Sequence, residues 1–234
     1  MFKPVLILSL LLAAGVATAA DPVTDAMQKT YGPYRVALFK TNNNAQDDSR
    51  QAVAQAQQGW NQIVAQFGAK PPVPYAGDAE FANSLAEVSK VYAKAAEEIE
   101  KNQLTQAHDT LEHAREVMAG MRHRNQVIVY SDHMNAYHAQ MERVLIDGEK
   151  TLAAPSGMLQ LTAQVGALEF LAGRLKSEAP AEYLKNDEFN ALNKAVEKSV
   201  AELKAALFSQ DAAKVKEAIS KVKGPYSKMF IKFG

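Results

Sequence analysis

Apolar residues recur along this chain at alternating steps of three and four. Phe81, Leu85, Val88, Tyr92, Ala95 and Ile99 form one such stripe. Met158, Leu161, Val165, Leu168, Ala172 and Leu175 form a second, and Phe189, Leu192, Val196, Val200, Leu203 and Leu207 a third. Leu104, Ala107, Leu111, Ala114, Met118 and Met121 read the same way. At 3.6 residues per turn each set falls on one helix face, the apolar seam of a helix packed in a bundle. β-branched residues nowhere alternate for the length of a strand, the best run being the four residues from Val127 to Tyr130. The pattern predicts an all-α chain, an up-down antiparallel helical bundle or a pair of them.

Breakers divide the helices. Gly32-Pro33 predicts a short helix over 33–40, with proline in the tolerated first turn. Further helices are expected over 45–67, 78–101, 104–124, 131–149, 157–177, 186–208 and 211–231, the fifth of these eight capped by Ser131 or Asp132. Residues 68–77, with Pro71, Pro72 and Pro74, read as a stiff extended crossover. The break at 153–157 separates an N-terminal bundle, 21–152, from C-terminal helices, 153–234, that pack on it or form a second bundle. A shift of 108 residues lays Glu80-Phe81 on Glu188-Phe189, Val88 on Val196 and Met121 on Met229, an internal echo of one helix pair. A shorter echo, Gly32-Pro33-Tyr34 against Gly224-Pro225-Tyr226, suggests two aromatic segments that each plug a bundle end.

The N-terminus supplies an address. Lys3, the apolar run from Val5 to Ala14 and the small residues Ala17-Thr18-Ala19-Ala20 have the order of a secretory signal peptide over 1–20. The apolar run is too short to span a bilayer, so a soluble periplasmic protein with no transmembrane segment in the mature chain is expected. Removing Lys3 from 26 basic side chains leaves 25 against 26 acidic ones, a balance that does not favour nucleic acid as a partner. The absence of cysteine excludes disulfides, a thiolate metal site, a cysteine nucleophile and covalent c-type haem attachment. No phosphate-cradling glycine loop or serine elbow appears, so binding is expected here rather than catalysis.

Candidate chemistry concentrates in one stretch. All five histidines lie between residues 108 and 138, beside Met118, Met121, Met134 and Met141. Read as an antiparallel hairpin turning at 125–130, this stretch pairs Met121 with Met134, Met118 with His138 and His113 with Glu142. His138 is then the central ligand of a metal site, with Met134, Met141 and Met118 as soft neighbours. His113 and Glu142 form the harder alternative, with Glu112 or Glu116 in reach. Thioether with imidazole favours copper, especially Cu(I), whereas imidazole with carboxylate suits iron, manganese or zinc. A b-type haem held by Met and His is a further version. The paired Glu-x-x-His signature of di-iron bundles is absent, since Asp109-x-x-Glu112 and Glu112-x-x-Arg115 both fail it. The competing class is a cofactor-free structural or partner-binding bundle in which the same residues are core and surface. Lys214, Lys216, Lys221, Lys223, Lys228 and Lys232 make the last helix basic, either a solvated face or a dock for an acidic partner such as a metal or redox protein.

The C-terminal hairpin, ending FSQDAAKVKEAISKVKGPYSKMFIKFG, resembles the last two helices of periplasmic four-helix cytochromes of the c′ and b562 type. That resemblance implies a bundle fold in the same compartment. It transfers no haem ligand, because Gly224-Pro225-Tyr226-Ser227-Lys228 stands where a c′-type chain carries Cys-x-x-Cys-His.

Overall fold

The computed structural model describes residues 21–234, all-α and without a strand among them; the expected signal peptide lies outside the described residues. The long helices are α1 (Pro22–Asn42), α2 (Gln46–Phe67), α3 (Phe81–Glu100), α4 (Leu104–Arg124), α5 (Tyr130–Ala153), α6 (Gly157–Ser177), α8 (Asp187–Phe208), α9 (Ala212–Lys221) and α10 (Lys223–Phe233). A four-residue helix, α7 (Ala181–Leu184), interrupts the connection before α8. None of the described helices is long and apolar enough to cross a membrane.

Side-chain chemistry sets the helix ends. Asp21 accepts from the Thr24 N–H, Asn186 from that of Phe189, and Asp211 from those of Ala213 and Lys214, each satisfying amides that lack a helical partner. At α5 the helix begins one residue before the expected caps, and Asp132 accepts from the Val129 N–H at 3.0 Å. Two proline expectations fail in opposite ways. Helix α1 runs unbroken through Pro33, because the one carbonyl deprived of a donor belongs to exposed Lys29 while Tyr31, Tyr34, Ala37 and Leu38 are anchored in apolar contacts. The last helix, expected continuous, divides at Val222 just before Gly224-Pro225.

The helices close into two rings. Helix α1 packs on α2, α2 on α3, α3 on α4, and α4 back on α1. In the second ring α5 packs on α6, α6 on α8, and α8 on α9 and α10, which return to α5. The break between bundles therefore falls at residues 125–129, inside the expected N-terminal unit, and not at 153–157. Residues 154–156 are only a tight reversal, with Ser156 in the left-handed region at φ 62°. Helix α5 belongs to the second ring because Met134, Tyr137, Met141 and Val144 are sealed in its core. Gly148 seals the same face, since a Cβ there would stand 3.0 Å from Cδ1 of Ile219 in α9. The pairs that echo each other in the sequence, α3 with α4 and α8 with α9–α10, hold the third and fourth places of their rings.

The seam between bundles is made by α1, α4, α5 and α10. The two Gly-Pro-Tyr segments lie along it rather than plugging bundle ends. Tyr34 donates to the Leu111 carbonyl at 2.9 Å and Tyr226 to that of Met134 at 3.1 Å. Each hydroxyl is thereby satisfied within its own bundle.

Candidate site at the seam between bundles

Helix α4 carries two working faces. Leu104, Ala107, Leu111, Ala114, Met118 and Met121 are all buried in the first core. The adjoining face presents His108, Glu112 and Arg115 at steps of four and three toward the second bundle. His138 and Met141 of α5, Lys223, Tyr226 and Phe230 of α10, and Leu38 and Asn42 of α1 complete a cleft of about 50 Å³.

Glu112 is the hub of this cleft. Its Oε1 lies 3.2 Å from His138 Nε2, 3.9 Å from His108 Nε2 and 3.0 Å from an Arg115 nitrogen. Burial pushes the Glu112 carboxyl up, but the His138 hydrogen bond, Arg115 and the two imidazole charges outweigh it and hold the group at about 2. Burial lowers the His108 pKa, against a smaller opposing pull from Glu112, so this ring is neutral at pH 7. Its tautomer is set as well. His108 Nδ1 stands 3.1 Å from the Leu38 carbonyl, which can only accept, so Nδ1 holds the proton and Nε2 faces Glu112 as a lone pair. The Thr41 hydroxyl, 3.2 Å from Nδ1, donates to its own helix and is free to accept from that ring. An Nδ1–H bonded to a backbone carbonyl is the usual support of an imidazole that ligates through Nε2. The His138 ring rests against Tyr226 with centroids 5.6 Å apart.

The hairpin expected to assemble the site does not form. Helices α4 and α5 are consecutive but pack on other partners, so Met118 and Met121 lie in one core and Met134 in the other. Met141 is the one expected thioether that borders the cleft. His113 points away from Glu142, to Glu87 at 3.5 Å and Glu116 at 3.3 Å on the surface. Glu142 pairs with Lys223 at 3.2 Å. Only His138 and Met141 of the expected ligands reach one place; His108 and Arg115 were not expected there, and Glu112 was expected only as an alternative. Their signal was present in the sequence as His108, Glu112 and Arg115 on one polar face of an otherwise apolar-seamed helix. Among the described residues no three His, Asp or Glu side chains already converge on one ion position.

The basic C-terminal face is largely neutralised within the chain. Lys214 pairs with Asp211, Lys216 with Glu149, Lys221 with Glu217, Lys223 with Glu142 and Lys232 with Glu188. That leaves little uncompensated charge to draw an acidic partner.

No protein-family model matches this chain, and neither a curated protein nor a solved structure shows significant similarity to it.

Proposed function

We propose that this is an exported, non-catalytic metal-binding protein whose ion seat is the His108–Glu112–His138 group. One observation carries the reading: two imidazoles and a carboxylate from two bundles meet in a small half-buried cleft. Ligands about 2.0–2.1 Å from a tetrahedral ion stand roughly 3.3 Å apart. The Glu112–His138 separation of 3.2 Å is already at that spacing, and the Glu112–His108 separation of 3.9 Å is slightly beyond it. Ion binding on all three ligands would require His108 Nε2 to move closer to Glu112. Uptake of an ion at His138 Nε2 moves that ring's proton to Nδ1, and Arg115 must share or yield Oε1.

The donor set favours a borderline divalent ion, such as Zn²⁺ or Cu²⁺, over Cu(I), since Met141 is the one methionine that borders the cleft. Iron(II) is the next choice. A cleft of about 50 Å³ takes an ion with a water, whereas organic ligands and haem need several hundred, roughly 300–1,000 Å³. Periplasmic residence rests on the leader-like N-terminus.

Equilibrium dialysis of the mature chain against Zn²⁺, Cu²⁺ and Fe²⁺ tests this reading. One ion per chain in the wild type is expected, with affinity lost in His138→Ala and in Glu112→Gln. Absence of stoichiometric binding by the wild type overturns it and leaves the second reading, a cofactor-free bundle that works through its outer surface. That reading is favoured by Leu159, Phe170 and Phe208, each at least two-thirds exposed on the neighbouring helices α6 and α8.

A further inference from the structure

The ligands of the proposed seat belong to two separately closed bodies. His108 and Glu112 stand on the first bundle, and His138 on the second. Other polar links across the seam are few. Arg122 of α4 makes a buried two-pronged pair with Asp132 of α5. Arg35 of α1 donates to the Phe230 carbonyl of α10 at 3.1 Å. The connecting segment, 125–129, lies immediately between Arg122 and Asp132.

Tyr31 of α1 lies beside Asn135 of α5, its hydroxyl within reach of the asparagine side chain. Arg35 Nε is buried without a hydrogen-bond partner. A second small cavity, bordered by Met27, Tyr31, Arg122 and Ser131, opens between α1, α4 and α5. Parting the bundles would hydrate Arg35 Nε, a buried donor left without a partner when they are closed. Each bundle is closed by packing among its own helices, and the seam between them also buries Leu38, Met141, Tyr226 and Phe230, so closure is held by apolar contact as well as by the polar links.

Distance along the helices gives the arrangement leverage. At about 1.5 Å per residue, Glu112 lies roughly 15 Å from Arg122 along α4, and His138 roughly 9 Å from Asp132 along α5. Arg122 with Asp132 is therefore a pivot beside the link, and the ion seat lies well away from it.

Resting on the metal-binding reading above, we propose that the seat is a latch: a bound divalent ion holds the two bundles together, and its loss lets them part about residues 125–129. The physical basis is differential affinity. The closed arrangement offers the ion two imidazoles and a carboxylate, whereas the open one leaves His138 on a different body. A ligand that binds one arrangement better shifts the population toward it.

The native chain has no cysteine, so a spin-label pair can be placed without background. Gln58→Cys on α2 and Ala167→Cys on α6 are exposed and lie outside the seam. Pulsed dipolar distances should be broad with chelator present and collapse to one narrow population with Zn²⁺. The collapse should follow the Zn²⁺ occupancy measured calorimetrically on the same labelled protein. In His138→Ala the narrow population should fail to appear at Zn²⁺ concentrations that saturate the wild type. Saturable Zn²⁺ binding with an unchanged distance distribution overturns the latch and leaves the metal site standing. No Zn²⁺ binding at all overturns the metal site, and the latch falls with it.

Discussion

The two bundle cores and the seam between them are built on opposite rules. Inside each ring the buried side chains are mostly apolar or aromatic, as in the ladder of Tyr34, Tyr92 and Trp60, with successive ring centroids 6.3 and 6.4 Å apart. Where a core side chain has a polar tip, it usually reaches a backbone carbonyl, as Trp60 does at Leu85. The seam instead holds charged and titratable groups, Arg122, Asp132, Glu112 and two histidines. Apolar contact is non-directional and makes each bundle a stable body. Charged contact in partial burial is conditional, because removing either partner or changing its protonation leaves the other stranded. In this molecule the conditional interactions sit where two stable bodies meet.

The comparison breaks most severely at a core ring. Trp60→Ala should cost about 3–5 kcal/mol, from the emptied volume of a fully buried indole, measured as a shift in urea midpoint. At the seam, Arg122→Met should cost about 3 kcal/mol because it leaves the Asp132 carboxylate buried and unpaired. Adding Asp132→Asn should recover most of that loss, since the amide oxygen can still accept from the Val129 N–H. A core truncation would have no such rescue.

Acid should loosen the seam before the cores. The carboxyl of Glu112, held at about 2, stabilises the fold above its ordinary value of 4.5, and this contribution is lost as pH falls toward 2. The lowered pKa of His108 acts in the same direction. The unfolded chain takes up a proton near 6.5 before the folded one does, so stability drops as pH falls below 6.5. Urea midpoints between pH 7 and pH 3 should therefore fall less steeply in Glu112→Gln than in wild type. Metal affinity should fall through the same histidine window.

The smallest effects contrast two helical glycines. Gly59→Ala places a Cβ 2.5 Å from the Thr30 methyl, where α1 and α2 approach closely, and should cost about 1–3 kcal/mol. Gly166→Ala meets nothing within 4 Å and should gain up to about 1 kcal/mol from helix propensity alone. Thermal midpoints measured side by side check both signs.

The metal-site reading shows why proximity in sequence misled. A stretch holding every histidine and several methionines looks like one site when it is folded as one hairpin. Residues 125–129 are short enough for that, yet Met118 and Met121 face inward in one ring, and Met134 and Met141 in another. Each methionine stripe was legible from its spacing. Which helix it would meet was not.

What the amino-acid order determined by itself was local and periodic. The three- and four-residue apolar steps placed α3, α4, α6 and α8 to within a few residues, because burial of one helix face depends on nothing farther than the helix itself. Ring closure, the break at 125–129 and the meeting of His108, Glu112 and His138 were decided only in three dimensions. Helix pairing is a choice among several similar apolar stripes, settled by details such as Gly148 admitting Ile219 and Gly59 admitting Thr30. A polar face on a single helix carries no sign of what will stand opposite it.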